Sequence, residues 1–94
     1  MKHHIIVKFN ETAPELGKML PRIDQIFSGV LKVPGVSGYK LVKNCIARPN
    51  RYDLMIIIEM AENALPAYDD CEAHHAWKNE FSSLIEKKAI FDCE

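Results

Sequence analysis

Histidine takes up and releases a proton near neutral pH. This sequence carries four histidines as two adjacent pairs, His3-His4 and His74-His75. One member of each pair stands where an apolar residue should. His3 alternates with Ile5, Val7 and Phe9 at strand spacing. His74 shares a helical stripe with Trp77 and Phe81. Tyr68 ends a short helical segment just before it. A pocket between a sheet and its helices would collect all three. A histidine there would work as general base or acid, and the tyrosine hydroxyl would donate a hydrogen bond to a developing oxyanion. His3, Tyr68 and His74 are therefore the candidate catalytic residues. Ile5, Val7, Ile23, Phe27, Trp77 and Phe81 are the candidate lining of a small, mostly apolar substrate pocket. The competing reading makes both histidines half-buried packing residues near the ends of their elements.

Other chemistries find less support. Neighbours on a strand point to opposite faces, so His3 and His4 cannot share one ion, and no third residue has metal-ligand spacing. His4 and His75 read as interface or solvent residues. Cys45, Cys71 and Cys93 are an odd number without a CxxC pair, which argues against a disulfide framework or a zinc site. Cys71 lies beside Asp69 and Asp70; acids raise a thiol's pKa and make it a poor nucleophile. There is no Gly-rich phosphate loop. No metal or cofactor is expected.

Positioning these residues falls to seven segments. Residues 2–9 alternate as a strand whose core face is His3, Ile5, Val7 and Phe9. Thr12 and Glu15 have capping-box spacing, with Pro14 tolerated in the first turn. Leu16, Met19, Leu20, Ile23, Phe27, Val30 and Leu31 then recur at helical spacing, and Pro21 is expected to kink or divide that helix. A second strand is predicted from Val36 to Asn44, a polar loop from Cys45 to Arg51 and a third strand from Tyr52 to Met60. Asn63 is placed to cap a short helical segment, Ala64 to Asp70. A longer helix is predicted from about Glu72 to Lys88, with Leu84 and Ile85 on its buried stripe and Lys87 and Lys88 complementing its C-terminal dipole. A short last strand covers 89–93. The order is that of a ferredoxin-like βαββαβ protomer of the α+β class, a four-stranded antiparallel sheet with helices on one face.

The third strand is apolar on both faces through Leu54, Met55, Ile56, Ile57 and Ile58. A one-sided antiparallel sheet should be polar on its far face. Burying each such side chain is worth about 1.5–3 kcal/mol, so a second copy is expected to cover that face and form a dimeric barrel. The chain has 94 residues, 48% hydrophobic and 27% charged, which fits one globular domain spanning 1–94 and excludes a disordered chain. Net charge is −1, so non-specific nucleic-acid binding has no electrostatic basis. Residues 1–51 hold nine basic against three acidic residues, and 52–94 hold three against ten; the two halves are expected to interleave and neutralise each other. No apolar run approaches a membrane span, the opening residues lack a signal peptide's apolar core, and the thiols suit a cytoplasmic setting.

The opening Lys2–Phe9, the turn Val33-Pro34-Gly35-Val36, the strand Tyr52-Asp53-Leu54-Met55, the segment from Ala67 to His74 and the ending Ile90-Phe91-Asp92 together resemble one known family. It is the stress-responsive A/B barrel (Dabb) domain family, of the dimeric α+β barrel superfamily, and the resemblance covers nearly the whole chain. It implies a ferredoxin-like protomer and a homodimer with back-to-back sheets. Most members have no established activity. A plant member, olivetolic acid cyclase, folds a polyketide by intramolecular aldol condensation. His3, Tyr68 and His74 match its catalytic histidine, tyrosine and second histidine; there one histidine is the base, and the tyrosine and other histidine orient the substrate. This sequence departs from the family pattern at Cys71-Glu72, where His-Pro is usual, and around Val42-Lys43-Asn44, where a Gly is usual. Three functions stay open: a cyclase-like catalyst acting on a small hydrophobic or carbonyl compound, a non-enzymatic stress-related ligand-binding or structural dimer, and a cofactor-free oxygenase or isomerase.

Overall fold

A computed structural model describes residues 1–94. The elements are β1 (Lys2–Phe9), α1 (Leu16–Ser28), β2 (Val36–Lys43), β3 (Leu54–Met60), α2 (Leu65–Asp69), α3 (Glu72–Phe81) and β4 (Ile85–Cys93). Single 3₁₀ turns cover Gly29–Lys32, Glu62–Ala64 and Ser82–Leu84. The four strands form one antiparallel sheet in the order β2-β3-β1-β4. This is the ferredoxin-like α+β arrangement that the sequence predicts.

The period-2 pattern of the central strands decides which face is filled. Ile5 and Val7 of β1 pair with Ile56 and Leu54 of β3, and all four are buried, as is Ile58. Met19, Ile23, Ile26, Phe27 and Val30 come down on them from α1 and the turn after it. Trp77 and Phe81 of α3 complete the layer, with Trp77 edge-on to Phe27 at 5.3 Å between ring centres and stacked on Phe81 at 5.1 Å. No helix is long and apolar enough to cross a membrane.

Several local expectations are corrected. Thr12 does not cap α1. Its N–H and its Oγ1 both donate to Asn10 Oδ1, at 3.0 and 2.6 Å, and the helix starts only at Leu16. Ala13 precedes Pro14, and a residue before proline is pushed out of the helical region. Pro21 does not divide α1, which runs unbroken past it. Pro21 and Gly17, whose carbonyl the missing N–H would have bonded, both lie on the exposed side, where an unpaired carbonyl is cheap. Leu31 is exposed rather than buried, while Ile26, absent from the predicted stripe, is in the core. No side chain, Asn63 included, caps α2.

The largest correction concerns residues 82–88. The predicted helix to Lys88 ends at Phe81, and β4 begins at Ile85. Lys87 and Lys88 are strand residues, paired with Lys8 and Val7. The local sequence is compatible with a helix. The free edge of β1 takes it as a strand instead, because every residue from Lys2 to Phe9 gains a partner there. Tertiary pairing overrides so weak a local preference.

The turn into β2 depends on Gly35, whose φ of 92° suits glycine alone. A Cβ there would sit 2.8 Å from the Ala64 Cβ. Gly35→Ala should therefore lower stability by about 2 kcal/mol. Urea denaturation checks this, and an unchanged midpoint would contradict the assignment.

Candidate active site

β1 carries His3 at its start, on the helix-facing side. Its register places His3 opposite Ile58 on one edge and Asp92 of β4 on the other. The His3 ring is buried, and its Nδ1 lies 2.5 Å from Asp92 Oδ1. A carboxylate accepts, so Nδ1 carries a proton, and in the neutral ring Nε2 is the lone-pair acceptor. His74 lies in the first turn of α3. Its main-chain N–H donates to the Cys71 sulfur at 3.4 Å, which caps the helix. Its ring Nδ1 donates to the Asp69 carbonyl at 2.7 Å, and a carbonyl can only accept. In the neutral ring the Nε2 of His74 is likewise the acceptor.

Tyr68 stands between the two rings, with its ring centre 5.3 Å from His3 and 5.0 Å from His74. It is almost fully buried, and its hydroxyl has no hydrogen-bond partner. It is the one buried side-chain polar atom left unsatisfied. Burial pushes its pKa well above the ordinary 10.0, and the nearby Cys71 and Asp69 push the same way. The phenol therefore stays protonated over the physiological range. It is a hydrogen-bond donor without an acceptor, on a ring that packs against both imidazoles.

A cleft of about 350 Å³ opens beside these groups. His3, Tyr68 and His74 all line it, so the structure brings together the three residues that the sequence singles out. Ile5 and Trp77 line it too. The other expected lining residues do not: Val7, Ile23 and Phe27 are wholly enclosed and Phe81 nearly so, and they form the packed core beneath. Leu65 and Ile90 supply the remaining apolar wall. The expected apolar pocket is in fact mixed, because Asp69, Lys78, Lys88 and Asp92 also face it. A wider groove of about 810 Å³ between α1 and α3 is lined by Arg22, Ile26, Ala73 and Ala76 among others, and holds neither histidine nor tyrosine.

Asp92 is the functional candidate that the sequence reading missed. The signal was present: Ile90 and Asp92 alternate, and antiparallel pairing with β1 sets Ile90 on Ile5 and Asp92 on His3. His4 lies on the other side of the sheet, where its Nδ1 is 3.0 Å from the Phe91 carbonyl. His75 is exposed, 3.6 Å from Asp70. No group of three or more histidine, cysteine or acidic side chains is arranged to hold a metal ion.

Solved structures share this architecture at low sequence identity. A dimeric ferredoxin-like protein of unknown function from Thermobifida fusca superposes with a TM-score of 0.79 at 15% identity, covering 96% of this chain and 85% of that one. A Dabb family protein from Mesorhizobium loti superposes with a TM-score of 0.73 at 14% identity, covering 99% and 93%. The fold is the ferredoxin-like fold of a Dabb protein. A hydroxynitrile lyase from Passiflora edulis also shares it, with a TM-score of 0.74 at 10% identity over 96% of this chain and 87% of that one. No protein-family model and no curated protein matches the sequence.

The orphaned hydroxyl makes a stability prediction. A buried donor without a partner costs about 1–3 kcal/mol. Tyr68→Phe should therefore leave the protein as stable at pH 7 or more so, by about 1 kcal/mol. The folded state holds the phenolic proton more tightly than the unfolded state does. The difference between parent and variant should thus be constant below pH 10. Above it the parent should fall behind by up to about 1.4 kcal/mol per pH unit, because the unfolded tyrosine ionises first. Urea midpoints of both proteins at pH 7, 9 and 11 test this, and parallel profiles would contradict the buried neutral phenol.

Proposed function

We propose that this protein is a homodimer of the stress-responsive A/B barrel kind that carries out acid–base chemistry on a small carbonyl compound. The observation that carries the chemical half is the buried, unpartnered hydroxyl of Tyr68, whose ring packs against two histidines that present Nε2 as an acceptor when neutral. A ligand carbonyl oxygen supplies the acceptor that Tyr68 lacks. As a proton leaves the neighbouring carbon, negative charge collects on that oxygen and the tyrosine hydrogen bond strengthens. His3 is the better placed base, because Asp92 steadies the imidazolium that forms, while His74 orients the substrate. The enolate so formed attacks a second carbonyl or takes back a proton, and no cofactor is needed for either step. The fold is also used by a hydroxynitrile lyase, so this scaffold does support catalysis.

The assembly half rests on the far face of the sheet. Ile6, Met55 and Ile57 are half-buried at its centre, with Lys2, Lys8, Lys40 and Glu59 around them. An apolar centre inside a charged rim is the anatomy of an interface, and proteins described as dimers share the fold.

Two experiments test these halves. His3→Gln should slow exchange of the acidic carbon-bound hydrogens of benzoylacetone, or cyclisation of a poly-β-ketone, by about 10² to 10⁴. Asp92→Asn should act in the same direction, and both variants should keep their fold. A parent that does not exceed the buffer rate on either compound would overturn the catalytic half. Sedimentation should show the parent as a dimer at micromolar concentration and Ile57→Lys as monomer or aggregate. A monomeric parent would overturn the assembly half.

A further inference from the structure

Two lysines face the candidate cleft, and neither has a counter-ion. Lys78 lies on α3 and Lys88 on β4. The ion pairs of the molecule engage Lys8, Arg22, His3 and His75, and leave these two out. Only Ser82–Leu84 separate α3 from β4, and both lysines lie toward that turn: Lys78 four residues after His74 on α3, and Lys88 four residues before Asp92 on β4. His74 and Asp92 stand farther from the turn along the same two elements. The cleft is therefore polarised. Its acids lie at the imidazole end, where Asp92 is bonded to His3 and the Asp69 carbonyl holds His74. Its cations lie at the turn end. Between them are Trp77 and Ile90, which are apolar.

The geometry points to a substrate with an anionic group as well as a carbonyl: a keto acid whose carboxylate lies against Lys78 and Lys88 while its carbonyl oxygen accepts from Tyr68. This rests on the acid–base reading of the site and names the substrate class for it. His74 and Lys78 are one helical turn apart, about 6 Å, so a spacer of about three or four carbons connects the two ends. A neutral ketone would fill the same volume and leave both cations without a partner. Lysine suits the task because its flexible stem carries a compact charge to wherever the carboxylate settles.

The probes are 5-oxohexanoate, its methyl ester and hexanoate, followed by calorimetry and by protein NMR. The first has both groups, the second only the carbonyl end, the third only the anion. In the parent at low salt, 5-oxohexanoate should bind roughly threefold to tenfold tighter than the ester, the range for partly exposed charge pairs. That advantage should vanish in the Lys78→Gln/Lys88→Gln double variant and fade at about 1 M salt, where screening is nearly complete. Tyr68→Phe should weaken both ketones alike and leave their ratio unchanged. Equal binding of acid and ester in the parent overturns the keto-acid assignment. If Tyr68→Phe still weakens both in that case, the carbonyl site survives. A preference for the acid that persists in the double variant also overturns the assignment, because the lysines are then not the anchor. Hexanoate binding as well as 5-oxohexanoate, with Tyr68→Phe changing neither, retains the cationic end and overturns the carbonyl reading. No binding of any probe at tens of millimolar overturns both.

Discussion

The rest of the molecule depends on the pairing of β1. It lies inside the sheet with β3 on one edge and β4 on the other, and nearly every residue from Lys2 to Phe9 has a partner on both sides. A one-residue slip would turn every side chain to the opposite face. The register is held because Ile5 and Val7 must meet Ile56 and Leu54 under the helices. The same register sets His3 beside Asp92. The hydrogen bond between His3 and Asp92 is thus a by-product of the register that builds the core.

The helical half of the site is held differently. α2 is a single short helix without a side-chain cap, and it brings Tyr68 down into the core with its hydroxyl unsatisfied. Phenylalanine would fill that space at lower cost. A protein selected for stability alone would not keep a buried donor without an acceptor. The Cys71 sulfur and the Asp69 carbonyl then fix His74 on the far side of the ring. Stability is spent at this one point, and both neighbouring imidazoles are pre-oriented around it.

The two faces of the sheet differ in character. The helix-facing side holds the core, the imidazoles and the cleft. The other side presents Ile6, Met55 and Ile57, the face proposed above for a second copy. Residues i and i+1 of one strand serve the two tasks: His3 and His4 of β1, and Asp92 and Phe91 of β4, point in opposite directions. An assembly formed through the far face therefore leaves the cleft open to small molecules.

By itself the sequence determined the element order, the core face of β1, the two-sided apolar character of β3 and the convergence of His3, Tyr68 and His74. Each rests on a local periodicity, and alternation or a helical stripe survives whatever the rest of the chain does. Only the tertiary structure decided the remainder. Residues 82–88 read equally well as a helix, and the open edge of β1 made residues 85–93 a strand. That one change turned Lys88 toward the cleft, and the pairing of β4 with β1 set Asp92 on His3, so the expected apolar pocket became a polarised one. Val7, Ile23 and Phe27 were placed on the right face, but whether a face closes on itself or on a ligand is a matter of packing distance. Periodicity tells which way a side chain points; the partner it meets there depends on contacts between residues as far apart as 3 and 92, which no local pattern carries.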